Sequence, residues 1–411
     1  MTWERYRRSM ATVSSSAPSA RIPLSGIRTL MEVALRDPEA IHLEIGEPDA
    51  RPAEHVVAAA ARAAYDGLTG YTSSLGLDAL REAAADRVTR RHGFEAQPHQ
   101  VVVTHGAMHG LAMTMATLLG PGDDVLVPDP TFPNWAMAAA AAGARVVTYP
   151  TRAADGFVPR LDELEASITP RTRALIVCSP NNPTGAVYPA AILEGIVELA
   201  RKHDLWVLSD ECYEAITFGV PHVSTATFDT DGRVLTFFSL SKAHAMTGWR
   251  VGYAVVPDAS VVERIGHLAE ASVACPSTPG QYGAIAALTG PQDHVHAAVE
   301  SYWDRRDLAV ALLRERGISH VEPDGAFYLM VGVGAADTEA FALDLLARRH
   351  VAVAPGATFG DRGAGMVRVS LAAPRDLLVE GLGRLADEVA STSTAPRAGA
   401  SSLRAAAAHA R

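Results

Sequence analysis

The sequence predicts an α/β protein: a large domain on a mainly parallel seven-stranded sheet flanked by helices, followed by a smaller α+β domain. Three observations predict it. Short β-rich runs alternate with Ala/Leu-rich helical stretches between Val101 and Val256, the pattern of a parallel sheet covered by helices. Several of these runs are apolar on both faces, as buried central strands are. Around Gly290 the alternation gives way to longer helices flanking short strands.

The strands are read at Val101–Val103, Val125–Pro128, Arg145–Tyr149, Ala174–Cys178, Leu205–Ser209, Val234–Phe238 and Tyr253–Val256. Helical stretches such as His109–Leu119 and Ala191–His203 lie between them. In the smaller domain, helices around Asp293–Arg316 and Thr338–Arg348 flank strands near Ala326–Val331 and Met366–Ser370. The expected division is a flexible tail over 1–20, a segment 21–45 packing with the small domain, a large domain 46–289, a small domain 290–390, and an Ala/Ser/Thr-rich tail over 391–411. No internal repeat is visible.

Composition narrows the function. A formal charge of −10 repels nucleic acid and anionic membranes, so an anionic ligand must find a local positive site. Three widely spaced cysteines, Cys178, Cys212 and Cys275, give neither a disulfide framework nor a cysteine zinc site, and no metal site is read. No apolar run reaches the length of a membrane span, and a cytoplasmic location is expected. Of 36 basic residues only Lys202 and Lys242 are lysines. Codon bias explains the trend, but arginine cannot replace lysine as an amine nucleophile. Lys202 lies in the polar end of a helix; Lys242 lies just past a strand.

Ligands of open parallel sheets bind beyond the carboxyl ends of the strands, so the residues there carry the argument. Thr104-His-Gly-Ala-Met-His-Gly110 opens a helix, where exposed N–H groups and the helix dipole suit a phosphate; a turn that needs glycine for space reads the same way. Phe132 or Trp135, in the next loop, can lie against an aromatic ring or simply pack. Ser179-Pro-Asn-Asn-Pro-Thr-Gly185 is a rigid turn presenting amides. Asp210 ends a very apolar strand, where an acid needs a partner cation such as a protonated pyridine, unless it only caps the turn. Tyr213 follows three residues later. Ser239-Leu-Ser241-Lys242 and Arg250 gather two hydroxyls, an amine and a guanidinium at one strand end. A lysine shielded from water beside a guanidinium gives up its proton more readily and becomes a nucleophile. Arg368, flanked by Val367 and Val369, reads as partly buried and built to take a carboxylate with both prongs.

Taken in order, these pieces resemble the class I/II aminotransferases of the aspartate-aminotransferase superfamily, the fold type I enzymes that use pyridoxal 5'-phosphate. The match runs from about Leu24 to about Val389. It includes Ser25-Gly-Ile-Arg28, Ile45-Gly-Glu-Pro-Asp49, Tyr71 with Gly76 and Leu80-Arg81, Asn181-Asn-Pro-Thr-Gly185, Met246-Thr-Gly-Trp-Arg250-Val-Gly-Tyr253 and Pro323-x-Gly-Ala-Phe-Tyr328. The resemblance implies that Lys242 holds the cofactor as a Schiff base and shuttles the proton. Asp210 keeps the pyridine nitrogen protonated, Tyr213 and Asn182 bond the phenolic oxygen, and Phe132 stacks on the ring. The backbone of Gly106, Ala107 and Met108, with Ser239, Ser241 and Arg250, forms the phosphate cup. It further implies that Tyr71 reaches the site of the neighbouring subunit in a homodimer. Arg368 clamps the substrate α-carboxylate and Gly46 lies in a loop over the substrate. The implied reaction moves an amino group from an L-amino acid to a 2-oxo acid by a ping-pong route. Ala107 and Met108 are not the commonest residues there, which backbone donors tolerate. No cation is placed by the sequence at the distal end of the substrate, so a dicarboxylate preference has no support.

Other readings remain open from residues alone. Elimination, racemisation, decarboxylation or cyclisation on the same cofactor would use the same cradle. Ser239-x-x-Lys242 fits a serine acyl hydrolase, but the companion Ser-Asp-Asn and Lys-Thr-Gly are absent. A cofactor-bound regulator would carry a DNA-binding segment, and the N-terminus shows none. Gly332-x-Gly334 lacks the third glycine of a dinucleotide turn.

Overall fold

The computed structural model describes residues 22, 23 and 25–394. The tail expected over 1–20, and residues 395–411 of the one expected after Ser391, lie outside the described residues. Strand β1 (Ile41–His42) precedes the large sheet, which consists of β2 (Val101–Thr104), β3 (Asp124–Asp129), β4 (Arg145–Pro150), β5 (Thr172–Cys178), β6 (Trp206–Asp210), β7 (Val234–Ser239) and β8 (Gly252–Val255). Its order is β2-β8-β7-β6-β5-β3-β4. All neighbours run parallel except β8, which is antiparallel to both β2 and β7.

The apolar runs are strands because both faces are covered. Along β5, Ala174 and Ile176 join the core under helices Ala107–Leu118 and Ala259–Val273, while Leu175 and Val177 join the core under helix Ala190–Lys202. Successive side chains leave a strand on opposite faces, so a strand buried twice must be apolar throughout. Each such Val, Leu or Ile contributes roughly 1.5–3 kcal/mol of burial. The edge strand β4 is buried at Tyr149 alone.

Registry collects the functional ends. Asp210 pairs with Cys178 and Phe237, Ser239 with Gly252, and Gly252 with Thr104. Because β8 runs backwards, its beginning meets the carboxyl ends of its neighbours, and Arg250 just before it arrives at the same rim.

A second sheet holds β9 (His320–Val321), β10 (Tyr328–Gly332), β12 (Ala354–Pro355) and β13 (Met366–Ser370), antiparallel in the order β12-β13-β10-β9. The short β11 (Val351–Ala352) pairs in parallel with β1. Helices Asp293–Glu315, Thr338–Arg349 and Arg375–Thr394 close its core around Leu329, Val331, Val367 and Val369.

Most element boundaries shift by one or two residues from the sequence reading, and two of the differences have a visible cause. The strand expected from Ala326 begins at Tyr328, because Ala326 takes φ +55 and gives its N–H to Ile216 O instead of a ladder. The final helix runs on to Thr394, past the expected tail boundary at Ser391. The Ser391 hydroxyl turns back onto Glu388 O at 2.8 Å, which satisfies the polar side chain within the helix. No helix among the described residues is long and apolar enough to cross a membrane.

Candidate active site

At the rim of the large sheet, the chain turns at Gly106, with φ +80, into helix Ala107–Leu118. The first N–H groups of a helix, here those of Ala107 and Met108, lack intrahelical acceptors and favour an anion. The turn is pressed against Gly252: a Cβ there would come within 2.9 Å of Gly106 Cα and 3.0 Å of Ala107 N. Arg250, with φ +57, donates from Nη1 to Thr247 O at 2.7 Å and from Nη2 to His105 O at 3.1 Å. No carboxylate among the described residues neutralises it. Ser239 Oγ accepts the Ser241 N–H at 3.1 Å, which folds the serine turn beside the same glycine. A helix terminus, a guanidinium without an ion pair and two hydroxyls thus gather where an anion can be held.

Lys242 follows directly. Its Nζ donates to Gly46 O at 2.6 Å and lies 5.7 Å from the centre of the Phe327 ring. Gly46 is required: a Cβ on it would sit 1.7 Å from the Tyr328 hydroxyl. That hydroxyl is 3.0 Å from the hydroxyl of Tyr213, and burial pushes the Tyr213 phenol well up.

Asp210 is buried at the end of β6. Burial pushes its carboxyl up; contacts from Cys212, whose N–H donates to Oδ1 at 3.2 Å, pull it partly back. No lysine, arginine or histidine among the described residues pairs with it. Trp135 is wholly buried beside it, and its indole N–H makes no hydrogen bond of ordinary geometry. Phe132 stands edge-on to Trp135, ring centres 6.1 Å apart, and is only half-buried.

Arg368, at the middle of β13, is 2% exposed, and burial lowers its pKa. It donates from Nη1 to Asn182 Oδ1 at 2.8 Å and from Nη2 to Glu44 O. Its guanidinium lies 4.2 Å from the Tyr328 ring centre and 4.9 Å from that of Phe359. Nε is buried without a partner, and no acid among the described residues forms an ion pair with it. The site therefore holds a buried acid without a cation and a buried cation without an acid, and burying either alone is costly.

Of the residues singled out in the sequence, Gly46, Asn182, Tyr213, Lys242 and Arg368 are linked through these contacts, with Tyr328 and the Glu44 carbonyl joining them. Gly106, Ala107 and Arg250 form a second group with Ser239 and Ser241. Tyr71 stands apart, 90% exposed on a loop fixed by Thr278 Oγ1 to Gly70 O at 2.7 Å. The sequence reading assigned no role to Tyr328, Glu44 or Phe359. Tyr328 was within a quoted motif, while a main-chain carbonyl leaves no signal in side-chain identity.

A seven-stranded, mostly parallel sheet with an isolated lysine and an uncompensated acid at its rim is the architecture of an aminotransferase, and the chain belongs to the aminotransferase class I and II family, which it matches over residues 38–385. It is 36% identical over 378 residues to a probable aspartate/prephenate aminotransferase of Thermus aquaticus, covering 91% of this chain and 97% of the relative. It is 38% identical over 369 residues to aromatic-amino-acid aminotransferase 2 of Thermococcus litoralis, covering 88% and 94%. The solved aspartate aminotransferase of Thermus thermophilus with maleate superposes with a TM-score of 0.87 at 36% identity, over 91% of this chain and 99% of that one. The fold type I architecture and the transaminase class expected from the sequence are thereby shown.

Proposed function

We propose that this aminotransferase moves an amino group from an L-amino acid to a 2-oxo acid by a ping-pong route, with pyridoxal 5'-phosphate attached to Lys242 as a Schiff base. The observation that carries the reading is the unpaired buried Asp210 together with the unpaired buried Arg368. One calls for a cation of the cofactor and the other for a carboxylate of the substrate. The family uses this cofactor, and the residues present fit it. Asp210 would face the protonated pyridine nitrogen, Phe132 the ring, and Tyr213 and Asn182 the phenolic oxygen. Backbone N–H groups at Gly106, Ala107 and Met108, with Ser239, Ser241 and Arg250, would hold the phosphate. When bound, the cofactor supplies an electron sink for charge developing at the amino-acid Cα.

The chain's own groups do the rest. Arg368 takes the α-carboxylate, and the loop at Gly46 covers the substrate and excludes water. Lys242, held near that loop by Gly46 O, carries the proton away from Cα and returns it as base and then acid. The division into a segment 21–45, a large domain 46–289 and a small domain 290–390 is supported by the separate seven-stranded and four-stranded sheets and by the pairing of β1 with β11. Tyr71 reaching the neighbouring subunit of a homodimer is supported by its exposure, shared by Tyr65 at 91%. A cytoplasmic location fits the three free cysteines.

The test is an absorption spectrum of the purified enzyme during addition of single L-amino acids without oxo acid. Conversion of the bound cofactor to its amine form with stoichiometric oxo acid is expected. Release of ammonia, carbon dioxide or an elimination product instead would assign the site to another reaction on the same cofactor.

A further inference from the structure

Behind the active site lies a buried cluster that the reaction does not use. Glu211 follows Asp210 and its side chain is 1% exposed, yet no lysine or arginine among the described residues pairs with it. Its Oε1 accepts from Ser209 Oγ at 2.8 Å, Ser224 Oγ at 2.9 Å and Thr225 N at 3.1 Å. Its Oε2 is 2.9 Å from His222 Nε2. His92, the last residue of helix Asp78–His92, stands edge-on to His222 with ring centres 5.8 Å apart. The side chains of His92 and His222 are 2% and 6% exposed. One donor atom from each of His92, Glu211 and His222 lies within 4.8 Å of the other two.

A proton on His222 would balance Glu211 across their 2.9 Å contact. It would not serve His92. His92 Nε2 is buried with no hydrogen-bond partner, as is His222 Nδ1. An unpartnered nitrogen in the interior is costly, and a bound ion would use it. The neighbouring cations are engaged elsewhere: Arg87 and Arg91 face Glu214 at 3.3 and 3.6 Å. The Glu211 charge is left for the cluster itself.

We propose that His92, Glu211 and His222 form a structural site for a divalent first-row metal ion, zinc foremost. Two imidazoles and one carboxylate are a zinc donor set. Tetrahedral bonds of about 2.0–2.1 Å set donors about 3.4 Å apart, so donors that lie within 4.8 Å of one another need close by about 1.4 Å at most. Glu214 Oε2 makes no hydrogen bond and faces Arg91 Nε only at 3.6 Å, and its Oε1 is 4.0 Å from His92 Nε2, which makes this carboxylate or a water the fourth donor. The ion fastens the end of helix Asp78–His92 to the segment that carries Asp210. It takes no part in amino transfer.

The test uses the holoenzyme, stripped with a chelator, incubated with zinc and freed of excess by gel filtration. Elemental analysis should find one zinc per chain and a raised melting temperature. His92→Gln and His222→Gln should each weaken zinc binding by about tenfold or more, with the cofactor absorbance unchanged. Cobalt in place of zinc should give visible bands of a four-coordinate N/O site in the unmodified enzyme, a readout that stands even where a variant fails to fold. Absence of retained zinc and cobalt in the unmodified enzyme overturns the proposal, as does equal retention by folded variants of both histidines.

Discussion

Replacing Arg368 by lysine keeps the charge and removes the fork. In the structure the guanidinium spends Nη1 on Asn182 and Nη2 on Glu44 O, lies 4.2 Å from the Tyr328 ring centre, and keeps Nε unpartnered. A carboxylate gripped from two nitrogens gains two charge-assisted hydrogen bonds, each about 1.5–3 kcal/mol. A lysine ammonium keeps one of them and loses the planar contact with Tyr328, a net loss of roughly 2–4 kcal/mol. At about 1.4 kcal/mol per decade, kcat/KM for the L-amino acid should fall about 30- to 700-fold in Arg368→Lys. The assay is the single-turnover half-reaction, followed by cofactor absorbance, with an L-amino acid and with the amine of the same side chain that lacks the carboxylate. The amine has no contact to lose, and its already slow rate should change less than about threefold. A loss below about tenfold for the amino acid, or an equal loss for the amine, would refute the assignment of Arg368 to the carboxylate.

Five other outcomes are expected. Asp210 has a raised pKa in the folded chain, so the stability it contributes is lost as pH rises from the ordinary carboxylate range through the folded value. Cofactor-free Asp210→Asn should therefore melt above the cofactor-free parent at neutral pH, while added cofactor should stabilise the parent more; the reverse order in scanning calorimetry would show that Asp210 is already paired. Gly46→Ala places a Cβ 1.7 Å from Tyr328 Oη and should cost about 100-fold or more in kcat/KM. Gly383→Ala, with nothing within 4 Å, should leave kcat/KM unchanged and gain up to about 1 kcal/mol in denaturant melts. Arg145 binds the buried Asp124 through two nitrogens at 2.9 and 2.8 Å and holds that carboxyl's pKa down. This stability is present above the ordinary carboxylate range and disappears as pH falls through the folded value. Screening at the exposed Arg145 keeps the loss in Arg145→Ala small at neutral pH, and urea titration should show it shrinking further in acid. Finally, mixing inactive Lys242→Ala with crippled Tyr71→Ala should restore activity through hybrid dimers; unchanged activity after proven subunit exchange would place Tyr71 in its own chain's site.

The strands were legible because burial on both faces forces an unbroken apolar run, as in Ala174–Cys178. Residues at strand ends were legible because open parallel sheets put their chemistry there, which directs attention to Asp210 and Lys242. Arg368 stood out through its two valine neighbours. Contacts that depend on the meeting of distant segments left no local trace. The Tyr213–Tyr328 hydroxyl pair, the Glu44 carbonyl under Arg368 and the Gly46 carbonyl on Lys242 are of this kind. Strand ends also drift where one residue leaves the ladder, as at Ala326, and the final helix outlasts its composition because Ser391 bonds within it. The His92–Glu211–His222 cluster was invisible for the same reason, its members being drawn from a helix end, a strand end and a loop.

The wide separation of the contacts that assemble the site also sets an order of events for the growing chain. Lys242 meets a carbonyl 196 residues earlier, and Arg368 meets Asn182 and Glu44 across 186 and 324 residues. Closing loops of this size is slow, and it brings no gain until both ends exist. A chain emerging from the ribosome has Asp210 and Lys242 long before β13 can bring Arg368 to them. The proposed anion cup can thus form on a partial chain, whereas the proposed carboxylate grip waits for β13, which begins at Met366 of 411 residues. Under the roles proposed for these residues, cofactor capture can precede substrate recognition during synthesis.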